Sequence, residues 1–270
     1  MTARKLETRY VEKPWGRDQL PLLFPDADGR KIGEVWFEGA QDEHLPILVK
    51  YIFTSEKLSV QVHPNDAQGR ERGLPGGKTE CWYILDAQPG ATLGLGTHDR
   101  LSADQLRAAA LDGSIERLMD WKPVQEGDFF LVPAGTIHAI GAGVTLVEVQ
   151  QNVDVTYRLY DYGRPRKLDL DDGVAVSIAR PYRDDGDNLA RADDADILDH
   201  GKAPFALKLR SGTPGETLEI GDDSAPTWFI PLSGSGDVDS RPWSLGECWL
   251  IEGRTSVACA ADTRALIASP

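Results

Sequence analysis

The sequence predicts an all-β protein made of jelly-roll barrels, with a few short helices. Apolar runs of four to seven residues recur along the chain, and Gly, Pro or Asp separates them. Many short strands with frequent turn signals are typical of sandwiches and jelly rolls. The clearest helix signal, in contrast, covers only about ten residues. Both observations favour a β-dominated fold.

The first part of the chain contains most of these signals. Residues 58–63 alternate between apolar and polar side chains, a pattern that is typical of a half-buried strand. The clearest helix is predicted over 103–111, because Ser102 is a favourable N-cap and Gly113 a favourable stop. A second, shorter helix should begin after Ser114 and end near Trp121, which makes 102–121 a short helical segment. The predicted strands here are 47–53, 58–63, 80–85, 92–95, 128–132 and 144–149.

A break in composition divides the chain. Residues 180–199 are polar, acidic and poor in strand-forming residues, which is typical of a solvated linker. We therefore expect a metal-binding domain at 1–182, an acidic linker at 183–203 and a smaller β-barrel at 204–270. All five histidines lie at or before residue 200, so we expect the last barrel to lack a metal. Its predicted strands are 205–209, 217–220, 228–232, 246–251 and 265–267.

Charge and composition narrow the classes of partner. The chain has 270 residues and a formal net charge of −14, which argues against nucleic acid and anionic membranes as main partners. An anionic substrate would therefore need a local cluster of positive groups. Three widely spaced cysteines do not suggest a disulfide framework. We find no signal peptide and no apolar run of membrane-spanning length, so a cytoplasmic location is expected.

One histidine stands at the end of a strongly punctuated segment, and other metal-binding residue types precede it. The segment 127–138 places a turn glycine, an apolar run, a proline and a second glycine before His138. Gln61 and His63 stand two apart, so strand alternation would put both side chains on one face. Glu80 supplies a carboxylate. Two imidazoles, a carboxylate and an amide oxygen suit a divalent metal such as zinc, with a position left for water or substrate.

These residues carry a family resemblance. The pattern Gly-x5-Pro-x-Gly-x2-His, ending at His138, matches the second motif of the cupins. Together with Gln61-x-His63-Pro, Gly-Lys-Thr-Glu80 and the segment 153–162, it resembles the class I mannose-6-phosphate isomerases. The similarity is greatest to their short bacterial form, which lacks a large helical insertion. The motifs at 13–16 and 32–36 extend it over about residues 13–182.

The resemblance implies a bicupin-like fold and a zinc-dependent isomerase that interconverts mannose 6-phosphate and fructose 6-phosphate through an enediolate. It implies one zinc per chain, with other divalent metals as alternatives. The implied metal ligands are Gln61, His63, Glu80 and His138. The implied catalytic residues are Arg158, Lys78 and Glu148, and the implied substrate-binding residues are Lys50 and Ser59. The chain departs from generic cupins in the sixteen residues between His63 and Glu80, which supports the isomerase subgroup.

Several alternatives stay open. Glu148 and Lys78 are both candidates for the base that moves the proton between C1 and C2. Arg158 could instead be a structural arginine paired with Asp154 or Asp161. The chain could also be another metal cupin enzyme, such as a dioxygenase or an isomerase or epimerase of a related sugar, or a non-catalytic sugar sensor. The expected partner is a small phosphosugar, with no nucleic acid and no membrane, and the oligomeric state is not predicted.

Overall fold

Strands dominate the computed structural model of the chain, which describes residues 2–21, 23–24, 29–41, 43–183, 187–190 and 192–270. The all-β prediction is confirmed. The strands are β1 (Thr2–Lys5), β2 (Glu7–Arg17), β3 (Ile32–Glu38), β4 (Ile47–Phe53), β5 (Val60–Val62), β6 (Glu80–Ala87), β7 (Thr92–Thr97), β8 (Met119–Pro123), β9 (Asp128–Val132), β10 (His138–Ile140), β11 (Val144–Gln151), β12 (Tyr157–Tyr160), β13 (Asp187–Asn188), β14 (Ala195–Leu198), β15 (Ala206–Gly212), β16 (Thr217–Ile220), β17 (Thr227–Ser233), β18 (Gly236–Val238), β19 (Arg241–Trp243), β20 (Trp249–Glu252), β21 (Thr255–Cys259) and β22 (Thr263–Ser269). The helices are α1 (Asp66–Glu71), α2 (Ala103–Asp112), α3 (Ile115–Leu118) and α4 (Leu170–Val176).

The strands form four sheets. The first half of the chain supplies most of a seven-stranded sheet, β13-β9-β6-β11-β4-β3-β2, and all of a five-stranded sheet, β12-β5-β10-β7-β8. The second half supplies most of a six-stranded sheet, β1-β20-β17-β22-β15-β14, and a four-stranded sheet, β16-β21-β18-β19. Long-range antiparallel pairing, such as that of β11 with both β4 and β6, holds each sheet together.

The sheets stack in layers, and buried apolar clusters fill the spaces between them. One cluster, with Trp82 and Leu95, joins the seven- and five-stranded sheets, and another, with Trp243 and Ile251, joins the four- and six-stranded sheets. A third cluster joins the two large sheets, where Tyr51 and Trp228 both lie. The seven-stranded sheet is therefore covered on both faces, which explains why every residue of β4 is buried.

The helices α2, α3 and α4 cover the outer face of the five-stranded sheet. Leu106 and Val176 pack there with Val62 and Leu159. The predicted caps of α2 are confirmed, because Ser102 and Gln105 form a capping box and the C-cap glycine has φ 78°. The second predicted helix is shorter than expected.

That helix, α3, ends at Leu118, and the chain then forms β8 instead of continuing to Trp121. Met119 is completely buried and β8 pairs with β7, so pairing at the sheet edge replaces a further helical turn. The helices α1 and α4 are additional to the predicted ones. Within the described residues no helix is long and apolar enough to cross a membrane.

Three strands bear on the predicted domain boundaries. Strand β1, at the start of the chain, pairs with β20, so the first residues belong to a sheet of the second half. Strands β13 and β14 lie within the predicted linker 183–203 and pair with β9 and β15. Residues 184–186 and 191 of that linker lie outside the described residues. The division into domains at these boundaries stays a prediction.

Candidate metal centre and substrate cleft

Strand ends from two sheets bring the predicted ligands together. Gln61 lies on β5 and is the register partner of His138, the first residue of β10. His63 directly follows β5, and Glu80 is the first residue of β6 in the facing sheet. The five-stranded sheet thus contributes an amide and two imidazoles, and the seven-stranded sheet contributes the carboxylate.

Three of these residues form a compact, buried group. One ligand atom each from His63, Glu80 and His138 lies within 4.8 Å of the others. Oε2 of Glu80 lies 3.3 Å from Nε2 of His63, and Oε1 of Glu80 lies 3.4 Å from Nε2 of His138. All three side chains are at most 1% exposed. Their nitrogen and oxygen lone pairs therefore converge on one small region inside the first pair of sheets.

The backbone sets the tautomer of His138. Its Nδ1 lies 2.9 Å from the carbonyl oxygen of Thr136. A carbonyl oxygen only accepts, so Nδ1 carries the proton and a neutral ring presents the Nε2 lone pair to the group. A second-sphere hydrogen bond of this kind orients histidines that bind metals.

Gln61 approaches the group with its amide nitrogen. Its Nε2 lies 3.2 Å from Nε2 of His138, while its Oε1 accepts a hydrogen bond of 3.2 Å from Ser59. Rotating the amide by 180° would turn the oxygen toward the group, and the Ser59 hydroxyl could then accept instead of donate. The position of Gln61 suits a ligand, and its role as one stays a prediction.

Burial and charge fix the protonation states of the group. Burial, together with nearby Lys78, lowers the pKa of His63 to about 3. Burial also lowers the pKa of His138. Burial alone would raise the pKa of Glu80, but Lys78 and His63 outweigh it and hold the pKa well below its ordinary value. At neutral pH the group therefore consists of two neutral imidazoles and an ionised carboxylate.

The polar atoms of the group suit a divalent cation. Oε1 of Glu80 and Nδ1 of His63 are buried and have no hydrogen-bond partner among the described residues. Lys78 Nζ lies 2.7 Å from Glu80 Oε2 and 3.0 Å from His63 Nε2, so its ammonium balances the carboxylate charge. Such incompletely paired buried groups are rare outside functional sites, and this donor set is one that zinc and similar ions accept.

A cleft leads to this group between the two sheets. Gln61 and Lys78 line the cleft and also contact the buried histidines, so they separate its open part from the group. Five basic and three acidic side chains line the cleft of this strongly acidic chain. They are Lys13, Lys50, Lys78, Arg158 and Arg166, with Glu34, Glu148 and Asp154.

Lys50 is the centre of a buried network in the cleft wall. Its Nζ donates to Glu148 at 2.9 Å and to Gln150 at 2.5 Å, and it lies 4.6 Å from the ring centroid of Trp36. Trp82 Nε1 donates to the other oxygen of Glu148 at 3.1 Å. Burial would lower the pKa of Lys50, but the nearby carboxylates, Glu148 first, outweigh it and raise the pKa.

Arg158 also lines the cleft and is the register partner of Gln61. No ion pair joins Arg158 to Asp154 or Asp161 in the described structure. Asp161 instead pairs with Arg164 and with Arg166. Nε of Arg158 is buried without a hydrogen-bond partner among the described residues. The arrangement does not support the structural alternative for Arg158.

Some cleft residues were not among the predicted site residues. Glu34 and Trp36 face the cleft from β3, and Glu34 accepts from Trp36 Nε1 at 2.5 Å and pairs with Lys13 at 3.2 Å. A sequence signal did exist, because a carboxylate inside the otherwise apolar run 32–37 is unusual. Arg166 gave no comparable signal.

Curated relatives match this chain over about half of their own length. No family model matches it. Over 169 residues the chain is 40% identical to the mannose-6-phosphate isomerase of Streptococcus mutans, which covers 60% of this chain and 52% of that protein. Over 162 residues it is 41% identical to the mannose-6-phosphate isomerase ManA of Bacillus subtilis, covering 55% and 51%. The chain thus spans about half the length of the curated relatives it matches.

Solved structures resemble the whole chain. The mannose 6-phosphate isomerase structure from Bacillus subtilis matches with a TM-score of 0.82 and 24% identity over 99% of both chains. A zinc-bound mannose 6-phosphate isomerase matches with a TM-score of 0.72 and 15% identity over 100% of this chain and 99% of the other. These likenesses show the fold. The predicted resemblance to mannose-6-phosphate isomerases, and the cupin-type architecture, are confirmed.

Proposed function

We propose that this chain is a metal-dependent aldose–ketose isomerase that interconverts mannose 6-phosphate and fructose 6-phosphate. The observation that carries the proposal is the convergence of His63, Glu80 and His138 at the inner end of a cleft lined by five basic side chains. The names of the relatives support the same reaction. A cleft of this charge suits a phosphosugar, which the net charge of the whole chain would otherwise repel.

Zinc is the proposed metal, one ion per chain, held by Gln61, His63, Glu80 and His138. Neutral imidazoles and an ionised carboxylate are the protonation states that such an ion requires. When bound, the ion would supply Lewis-acid polarisation of the oxygens on C1 and C2 of the sugar. The flexible stem of Lys78 would let its ammonium leave Glu80 and His63 and remain in the cleft, which it also lines.

Arg158 is proposed to stabilise the negative charge that develops on the enediolate. It lies beside Gln61 in the sheet, and Nε of its guanidinium is buried without a hydrogen-bond partner among the described residues. A guanidinium keeps its charge throughout the reaction and offers a planar set of donors to an oxyanion. Lys50 and Ser59 are proposed to act on the substrate side, and both lie in the cleft wall.

Glu148 and Lys78 remain the two candidates for the group that moves the proton between C1 and C2. Both line the cleft. Glu148 accepts one hydrogen bond at each oxygen, from Lys50 and from Trp82, so each oxygen keeps a lone pair with which it could accept a proton. Lys78 contacts two proposed metal ligands, so its contacts would change when the metal binds.

Two alternative functions have less support. A dioxygenase would use two histidines and a carboxylate to hold iron with several open positions. The nearby Gln61 and the basic lining of the cleft favour a phosphosugar site instead. A non-catalytic sugar sensor would not need an arginine beside the proposed metal ligands with a buried Nε that has no hydrogen-bond partner among the described residues.

A coupled assay of fructose 6-phosphate formation from mannose 6-phosphate tests the proposal. The protein should lose activity on chelation and regain it when about one zinc ion per chain is restored, as elemental analysis would measure. His138→Ala should lose both metal and turnover, whereas His98→Ala, at an exposed position, should keep both. A fully metal-loaded wild-type protein that forms no ketose phosphate would refute the proposed activity.

A further inference from the structure

A second cavity lies outside the substrate cleft, beside the loop that joins β9 to β10. Its volume is about 510 Å³, which is within the range of pockets that hold small molecules. Among the described residues it shares no lining residue with the cleft. Three arginines line it, namely Arg100, Arg180 and Arg183. The cavity is therefore a basic pocket separate from the proposed active site.

The charge of this cavity is opposite to that of the chain. Acidic residues outnumber basic ones by 43 to 29, yet no carboxylate lines the cavity in the part of the chain that the structure describes. None of its three arginines forms an ion pair or a side-chain hydrogen bond with another described residue. Elsewhere arginines do pair with carboxylates, as in Arg4, Arg9, Arg72, Arg107, Arg166 and Arg210. Three like charges without partners repel one another, so this arrangement favours an anionic ligand.

Backbone hydrogen bonds fix the segment that carries Arg180 and leads to Arg183. The backbone nitrogen of Ile178 donates to the carbonyl oxygen of Gly135 at 2.8 Å, and that of Thr97 donates to the carbonyl oxygen of Arg180 at 3.1 Å. The contact is too close for a side chain at the neighbouring glycine, because a Cβ on Gly96 would lie 2.6 Å from the same carbonyl oxygen. The arginine side chains therefore extend from a fixed backbone, and the pocket is formed before a ligand binds.

The remaining lining of the cavity is mostly apolar. Ile178 is 46% exposed, although it is a large apolar side chain. Pro133, Pro181 and Tyr182 also line the cavity. The hydroxyl of Tyr182 donates to the carbonyl oxygen of Leu131, which holds the ring in place. Apolar surface next to arginines without partners suits a ligand that has both an anionic part and an apolar part.

We propose that this cavity binds a nucleoside diphosphate, with the diphosphate against Arg100, Arg180 and Arg183 and the base against the apolar lining. Guanidinium groups bind phosphate oxygens through planar sets of donors. A diphosphate matches the charge of three guanidinium groups more closely than a single phosphate does. A planar base suits an apolar surface that includes an aromatic ring, whereas an inorganic anion would leave Ile178 and Tyr182 in water.

Calorimetry with the full-length protein as purified tests this site, with ADP, pyrophosphate and adenosine as probes. ADP should bind about 10-fold more tightly than pyrophosphate, because the base adds buried apolar surface. Adenosine, which lacks the charge, should bind more weakly than either. Higher ionic strength should weaken the binding of ADP, since the three arginines are exposed.

Variants at the arginines assign the binding to this cavity. Arg180→Gln and Arg183→Gln should each weaken ADP binding about 10-fold, and the triple variant that adds Arg100→Gln should weaken it at least about 100-fold, because charge-assisted hydrogen bonds are lost. Arg117→Gln is the matched control, since Arg117 is an exposed arginine on α3 that does not line the cavity. It should bind ADP as the wild type does. Thermal melts should change little in any of these variants, and the single variants suffice if the triple variant does not fold.

Several results would overturn the site. These are a wild type that does not bind ADP, wild-type affinity for ADP in Arg180→Gln and Arg183→Gln, and equal affinities for ADP and pyrophosphate. Loss of ADP binding in Arg158→Ala with normal binding in the two single variants would place the nucleotide in the substrate cleft instead. A wild-type dimer that only the arginine variants dissociate, as sedimentation would show, would assign the pocket to a second copy of the chain. None of these measurements follows isomerisation, so their outcome is independent of the proposed function.

Discussion

Mild acid should destabilise the metal-free protein through its buried histidines. In the folded chain the pKa of His63 is lowered to about 3 by burial, whereas an ordinary histidine titrates near 6.5. Below pH 6.5 the unfolded chain therefore takes up a proton that the folded chain does not accept. The free energy of unfolding must then decrease as the pH is lowered, and it keeps decreasing until His63 in the folded chain is itself protonated.

The structure sets the size of this effect and its window. One proton of difference lowers the free energy of unfolding by about 1.4 kcal/mol per pH unit, and the unfolded histidine is half protonated at pH 6.5, so His63 alone should cost about 2 kcal/mol between pH 6.5 and 4.5. The pKa of His138 is lowered too, which acts in the same direction. Glu80 has a lowered pKa as a carboxylate, so its contribution is present above its ordinary pKa of 4.5 and is lost only below it. The window from 6.5 to 4.5 thus isolates the histidines.

Urea unfolding of chelator-treated protein at several pH values measures this slope. His63→Gln should remove about one proton from the pH dependence, because the uptake site is lost from the unfolded chain. His200→Gln is the matched control, since His200 is exposed and should leave the slope unchanged. A wild-type stability that is flat across the window, or a His63→Gln variant with the wild-type slope, would show that His63 is not held neutral by burial.

Three further predictions concern other parts of the chain. Arg158→Ala should keep its metal and most of its thermal stability, but its kcat should fall about 10²–10³-fold. Arg158→Lys should recover little of that activity, because the planar fork of the guanidinium is lost. Steady-state kinetics and a thermal melt measure these effects, and near-normal turnover in Arg158→Ala would rule out the catalytic role. Lys50→Met should destabilise by about 3–5 kcal/mol, because it leaves the Glu148 carboxylate buried without its cation. Urea unfolding should show much of that loss recovered in Lys50→Met/Glu148→Leu, and a double variant no more stable than the single one would contradict the pairing. In thermal melts, Gly113→Ala should lower the melting temperature more than Gly90→Ala does. Both positions have positive φ, but only at Gly113 would the added carbon meet a tyrosine hydroxyl, at 2.9 Å. Equal decreases in the two variants would mean that backbone strain accounts for the whole effect.

The convergence of the ligand residues could be predicted because it depends on local pattern. Alternation placed Gln61 and His63 on one face, and the glycine–proline frame placed His138 at a strand start, as the structure has it. Family motifs supplied Glu80, which lies on the facing sheet. The buried group of three is the outcome. What the pattern did not give was the atom each residue presents, such as the amide nitrogen of Gln61.

The cleft walls depend on long-range pairing, which a single sequence does not reveal. Trp36 faces Lys50 across β3 and β4 only because the two strands pair in that register. The position of Arg166 depends on the chain reversal at Tyr162, whose φ is 53°. The residue type does not predict this backbone conformation, because tyrosine rarely adopts a positive φ. The burial of Lys50 depends on layers added on both sides of its strand, and an isolated strand pattern cannot report it. Lysine is usually exposed, so the sequence alone predicts a solvated side chain for Lys50, which the structure places at the centre of a buried network.

The two faces of the seven-stranded sheet link the second half of the chain to the site. Side chains alternate along a strand, so Lys50 faces the cleft and Glu80 faces the buried group of His63 and His138, while their neighbours Cys81 and Tyr51 face the apolar cluster between the two large sheets. Trp228 packs in that cluster from the six-stranded sheet. Any shift of the covering sheet would move β4 and β6 and, with them, the carboxylate of the metal group, because close-packed layers transmit displacement. The second pair of sheets therefore supports the site by fixing the strand that carries Glu80.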